Sequence, residues 1–410
     1  MTALDLDLVR EQFPAFSDPD LDGWAFFENA GGSYPCRQVI ARLLGFYGAV
    51  KVQPHHPYPL AQRAGEAMDA GPASLAPWLG AELDEVHVGP STSQNTYVLA
   101  NAFRSTLSGD DAVVVTQQDH EANSGAWRRL ADAGIEVREW AVDPDTGALD
   151  VADLERFLSD GRVKVVAFPH VSNVVGETNR VRDLCGRIKA AGAVSIVDGV
   201  AAAPHGLPDF GALEADVYLF STYKTFGPHQ GVMLVRRELA ERLPNQGHFF
   251  NESMLSKRLV PAGPDHAQVA ALAGIAEYLS VLDAHHFGDD DVPARERMVR
   301  LGGLWHTHEE ELVTPLLAFL RDRDDVRILG PDSPDRRAPT ISVVHRRPAL
   351  ELATELAEHR VMVGASHFYA YRLLEAMGVD PEHGALRMSL LHNTTHAEVE
   401  QLIDALDAVL

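Results

Sequence analysis

Between residues 85 and 235, short apolar runs recur at intervals filled by amphipathic stretches. The runs at 85–88, 113–115, 134–140, 163–168, 194–197, 217–220 and 232–235 are rich in Val, Ile, Phe, Tyr and Trp. They are too short for helices and predict strands, whereas 94–107 and 180–191 carry helical spacing. This alternation predicts a mainly parallel sheet covered by helices. Upstream, 60–69 predicts a helix that Pro72 and Pro77 interrupt. Downstream, 244–264 is irregular and reads as a lid or interface loop. Helical spacing dominates 265–324. A second series of strands and helices (341–344, 349–359, 361–363, 386–389, 396–410) then predicts a small α/β domain. The expected organisation is an N-terminal segment, 1–25, packing on the small domain, a large domain over 26–280, and a small domain over 281–410.

Composition narrows the function. A chain of 410 residues, 46% hydrophobic, can bury one large core and a smaller one. No apolar run approaches the ~18 residues of a membrane span, and acidic residues occupy 1–16, where a signal peptide needs a basic start. A cytoplasmic protein with no membrane partner is expected. The net charge of -24 argues against nucleic acid, which requires clustered Lys and Arg. Cys36 and Cys185 lie far apart, with neither disulfide-framework nor metal spacing. Among 19 histidines, the pairs His55-His56, His285-His286 and His306-x-His308 lack further ligands at metal spacing, so no metal is expected.

In parallel sheets, ligands sit at the carboxyl ends of the strands. Polar residues fall just there: Ser91, Thr92 and Ser93; Asp119 and His120; His170, Ser172 and Asn173; Asp198; Ser221 and Lys224. Of 35 Lys and Arg residues only five are lysine, and arginine cannot supply a neutral amine. Lys224, in a polar turn before Gly227 and Pro228, is the candidate reactive amine. A lysine and an aspartate at neighbouring strand ends, beside a helix-opening Ser/Thr cluster, is what pyridoxal 5'-phosphate requires. Lys224 would form the Schiff base and shuttle protons, and Asp198 would keep the pyridine nitrogen protonated. Thr92 and Ser93 would bind phosphate through backbone N–H groups and hydroxyls. His120 would stack on the ring and Asn173 donate to the ring oxygen, with Ser221 and Tyr223 completing the cofactor set.

Four motifs carry a family resemblance: Asp198-Gly-Val-Ala-Ala-Ala-Pro-His205, Phe220-Ser-Thr-Tyr-Lys-Thr-Phe-Gly-Pro228, His170-Val-Ser-Asn-Val-Val-Gly176 and Arg387-Met-Ser-Leu-Leu-His-Asn-Thr-Thr-His396. They resemble the class V aminotransferase family, in its cysteine-desulfurase-like branch, over nearly the whole chain. The resemblance implies a fold type I α/β architecture: a large domain with a mainly parallel, seven-stranded-type sheet and a small C-terminal α/β domain. It also implies a homodimer with active sites at the subunit interface. Arg387 would pair with the substrate carboxylate, a role suited to its planar fork, with Asn29, Ala30 and Gly31 of the motif at 27–32 on the substrate side.

The sequence also departs from that branch. The loop that holds the desulfurase cysteine aligns with 363–369, where Tyr369 stands in its place. Of the two cysteines, Cys185 reads as helix core, and Cys36 follows a Gly-rich turn near the substrate side. Ala201 replaces a glutamine, Tyr223 a phosphate-binding histidine, and Pro264-Asp-His266 the Thr-Pro-Asn by which the partner subunit reaches the phosphate. The expectation is a pyridoxal phosphate enzyme acting on an amino acid, by desulfurase-related or carbon–sulfur lyase chemistry without the persulfide cysteine. Tyr369 or His367 would then protonate the leaving group. Aminotransfer and racemisation or epimerisation remain alternatives. A catalytically silent pyridoxal-binding protein is opposed by the intact set Lys224, Asp198, His120 and Arg387.

Overall fold

The computed structural model describes residues 3–288 and 291–410. Among them, the largest sheet has seven strands: β1 (Val86–Gly89), β2 (Ala112–Thr116), β3 (Glu136–Trp140), β4 (Val163–Pro169), β5 (Val194–Asp198), β6 (Val217–Ser221) and β7 (Gly231–Val235), in the order β1-β7-β6-β5-β4-β2-β3. Five adjacent strands, β6 to β3 in that order, are parallel, and β7 runs antiparallel between β6 and β1. The apolar runs are unbroken because both faces are covered. Alternate residues serve opposite sides: Val114, Val197 and Tyr218 join one core, whereas Val113, Val115, Ile196 and Val217 join the other.

A second sheet of four antiparallel strands is built from β8 (Val326–Leu329), β9 (Thr340–His345), β10 (Gly364–Ser366) and β11 (Ala385–Ser389), in the order β10-β11-β9-β8. The helices that matter below are α1 (Arg37–Gly45), α2 (Pro59–Leu75), α3 (Thr92–Arg104), α4 (Glu121–Arg128), α5 (His266–Phe287) and α6 (Ala294–Arg321).

Three expectations are corrected. Pro72 does not end its helix but lies inside α2. Gly71 lets α2 approach α5 so closely that a Cβ there would fall 1.9 Å from the Val269 carbonyl oxygen, and this packing overrides one lost backbone hydrogen bond. A boundary at residue 280 would cut α5, which continues to Phe287. The division falls within α6 instead: Met298, Leu301 and Trp305 pack into the large core, and Leu312, Leu316 and Leu320 into the small one. The N-terminal segment is shared as well, with Val9 and Phe13 in the large core and Ala25 and Phe27 in the small one. By length and composition α5 is apolar enough to cross a membrane, yet 72% of that stretch is buried in the protein, as suits a helix that is apolar all round.

Candidate active site

Lys224 sits in a tight turn (Thr222–Lys224) directly after β6. Thr222 N–H donates to the Gln230 carbonyl at 2.9 Å and Thr225 Oγ1 to the Ser221 carbonyl at 2.9 Å. Phe226 takes a left-handed φ of +64°, an uncommon conformation for a bulky residue, held by the Ser33 hydroxyl that accepts its N–H at 3.1 Å. Gly227 has no room for a side chain, since a Cβ would lie 2.8 Å from Ile275 and 2.9 Å from Thr222. The turn is therefore rigid. It holds Lys224 at 6% exposure, and burial, followed by repulsion from Arg387, lowers its amine to about 8 against the pull of Asp198.

Lys224 lines a cavity of about 260 Å³ together with Ser91, Thr92, Ser93, His120, Asn173, Asp198, Ser221 and Tyr223. The sheet brings these residues from five strand ends to one place. Asp198 ends β5, where its Oδ1 accepts the Val200 N–H at 2.8 Å; burial raises its carboxyl to about 6. Gly199 makes that position possible, because a Cβ there would overlap the Tyr218 ring at 2.0 Å. His120 caps α4 by accepting the Ala122 N–H on Nδ1 at 3.0 Å. Burial, with the Lys224 and Arg387 charges, lowers it to about 3, so the ring is neutral with its proton on Nε2. Next to it, Asp119 is raised to about 7 by burial and then by Asp198.

At the opposite wall, Ser91 caps α3 by accepting the Gln94 N–H at 3.2 Å, and the first-turn amides of Thr92 and Ser93 have no intrahelical acceptor. Gly231 lies beneath them; a Cβ there would come within 2.4 Å of the Thr92 nitrogen. Thr92 and Ser221 join their hydroxyls at 2.7 Å.

The Aminotransferase class-V family model matches residues 25–286 and 303–402. The chain belongs to this family. It is 29% identical to an aminotransferase-like protein, FGM3, of Gibberella zeae over 100% of this chain and 99% of that one. It is 31% identical to a probable cysteine desulfurase of Mycobacterium leprae over 98% and 96%. The fold matches a cysteine desulfurase structure from Thermococcus onnurineus with a TM-score of 0.84, at 23% identity, over 100% and 99% of the two chains.

As a class V aminotransferase-family member the chain is a pyridoxal phosphate-dependent enzyme, and its residues fit the cofactor. The buried Lys224 amine has no hydrogen-bond partner among the described residues, the α3 amides are free, and the glycine beneath them leaves a cradle. Asn173 spends one amide hydrogen on the Phe368 carbonyl at 3.0 Å, and the second remains for a ring oxygen.

Arg387, on β11 opposite Ser342 and Gly364, does not line the cavity itself. It is buried, stacked at 3.9 Å over Phe368 and bonded through Nη1 to the Asn173 carbonyl at 3.1 Å, while its Nε has no partner. Burial lowers it to about 10. Asn29, Ala30 and Gly31 also lie outside the cavity lining. Asn29 Nδ2 and Ala30 N–H donate to Ser389 at 3.0 and 2.7 Å, and the segment then reaches the lysine turn where Ser33 N–H meets the Tyr223 carbonyl at 3.0 Å. Residues 29–33 thus tie the strand of Arg387 to the turn of Lys224.

The segment after β10 holds Phe368 and Tyr369, consecutive left-handed residues with φ of +50° and +56°. The Tyr369 carbonyl accepts the Glu121 N–H at 2.8 Å, and its ring is tilted over His120, with centroids 5.2 Å apart. Neither cysteine approaches the site. Cys36 and Cys185 are buried in the large core, and burial pushes both thiols up to about 12. Of two aromatics near the site's helices, Tyr97 is 45% exposed on α3 and Trp127 on α4 is fully buried. His229, which also lines the cavity, escaped the sequence reading although it follows the Gly-Pro breaker directly.

Proposed function

We propose that this enzyme acts on an α-amino acid by a lyase reaction at the β-carbon, related to desulfuration but without a persulfide on the protein. The observation that carries this reading is the pairing of an intact Lys224–Asp198 cavity with the lack of any thiol in it. Bound through Lys224, pyridoxal phosphate supplies an electron sink for a carbanion at the substrate α-carbon.

The chain's own residues do the rest. With its amine lowered to about 8, Lys224 is neutral often enough at pH 7 to capture an aldehyde and then to move the α-proton. Asp198 holds the ring nitrogen, and the neutral His120 ring covers one ring face. Asn173 offers its remaining amide hydrogen to the ring oxygen. The unpartnered Nε of Arg387 is a donor for the substrate carboxylate. Tyr369, 67% exposed beside His120, is the acid for the leaving group. His367 is less suited, because its Nδ1 already accepts the Tyr369 N–H at 3.1 Å.

Aminotransfer is the second reading, favoured by the aminotransferase-like relative that spans the whole chain. A panel of amino acids assayed together for sulfide, keto acid and loss of optical activity separates these outcomes. Sulfide from cysteine that persists in the Cys36→Ala, Cys185→Ala double variant is the expected result. Amino-group transfer to a keto acid without β-elimination would sink the lyase reading. A second copy of the chain is the proposed partner: Phe249, Phe250 and Met254 in the irregular stretch are 85%, 67% and 44% exposed, a run of apolar side chains of the kind that marks a protein contact. Light scattering at the mass of a dimer is expected.

A further inference from the structure

We propose that His229 is a phosphate-binding residue of this cavity, acting with Tyr223 and the start of α3. The inference rests on the reading of the cavity as a pyridoxal phosphate site. His229 is an exposed residue that lines the cavity. It stacks on Tyr223 with centroids 4.6 Å apart and planes 6° from parallel. Tyr223 is itself packed against Gly32, where a Cβ would lie 3.5 Å from the ring. Neither ring nitrogen of His229 has a hydrogen-bond partner among the described residues.

The backbone carries the same residue toward the α3 amides. Gln230 N–H closes a turn on the Pro228 carbonyl at 2.9 Å, and Gly231, two residues after His229, lies under Thr92. An imidazole donor without an acceptor therefore shares a wall with helix-start amides that also lack one, and a tetrahedral oxyanion satisfies both. A buried amine without a partner, Lys224, faces the same space.

With Lys224 taken by the aldehyde, Asp198 by the ring nitrogen, and His120 and Asn173 by the ring, the polar lining left for a phosphate is Ser91, Thr92, Ser93, Ser221, Tyr223 and His229.

The test uses the full-length chain stripped of cofactor, titrated with pyridoxal 5'-phosphate and with pyridoxal, which lacks the phosphate, while the visible band is followed. Inorganic phosphate serves as competitor. For His229→Ala the phosphorylated ligand should bind about tenfold more weakly, the size expected for one lost hydrogen bond to a charged group. Pyridoxal affinity should stay within about twofold, since no donor to it is removed, and inorganic phosphate should compete about tenfold less well. His229→Gln keeps a donor and should recover part of the loss. Equal weakening of both ligands, or no change in either, overturns the assignment of His229 and leaves the cofactor reading standing. A wild-type chain that forms no borohydride-reducible adduct overturns that reading and this inference with it.

Discussion

The cavity's own lining and the loop that packs against it, at His120 and Asn173, are built on different principles. On one side, Lys224, Asp198 and the α3 start occupy the ends of strands whose register is fixed by the sheet, and a misplaced side chain there would require a strand to slip. On the other side, Phe368 and Tyr369 hold two consecutive left-handed conformations, each costing about 1 kcal/mol or more. Two hydrogen bonds hold each of them: the Phe368 carbonyl accepts from Asn173 and its N–H donates to Ser366 Oγ, and the Tyr369 carbonyl accepts from Glu121 N–H while its own N–H donates to His367 Nδ1. In the proposed function, electron handling depends on fixed distances and lies on this rigid wall, and bond choice falls to the loop opposite, which presents Tyr369 over His120 and which a few substitutions can rebuild.

Substitution on the rigid wall should have the largest effect. Lys224→Ala should abolish the borohydride-reducible visible band and lower turnover by about 10³-fold; a variant that keeps the reducible band would break the comparison outright. Arg387→Met should raise the substrate KM by about tenfold to 100-fold, the loss of a charge-assisted bond. In wild type, the rate of cofactor capture should rise with pH and flatten above about 8, because the neutral amine is the reacting form. Arg387 is one of the charges that lower the Lys224 amine, so Arg387→Met should move that midpoint upward, and a downward shift would refute the assigned coupling.

On the rebuildable loop the effects should separate by kind. Tyr369→Phe should slow β-elimination by about 10²-fold, the range of a lost general acid, with cofactor affinity unchanged in the visible titration. A parallel loss of cofactor binding would merge the loop and the rigid wall into one. The smallest effect concerns the backbone. Tyr369→Gly should be more stable than Tyr369→Ala by about 1 kcal/mol in denaturant unfolding, since glycine takes a φ of +56° without strain.

The strands were legible in the sequence because a parallel sheet covered on both faces leaves unbroken apolar runs. The meeting of Asp198 and Lys224 in one cavity was legible because both follow those runs within a few residues. Pro72 misled because its local signal is strong, whereas the reason for tolerating it is the approach of α2 to α5 at Gly71. The domain boundary misled because one continuous helix, α6, serves two cores, and periodicity cannot say which core a helix face meets. Cys36 looked close to the substrate side in sequence, but its turn leads into the large core, where burial removes the thiolate.

The sequence by itself determined the sheet, the lysine, its aspartate and the family, since each is written in local order: a period of two, a residue after a strand, a motif. Only the tertiary structure decided that Tyr369 lies over His120, that Asn173 joins the loop to Arg387, and that His229 stacks on Tyr223. These contacts join segments through packing, and local patterns do not encode which side chains will face each other across a cavity.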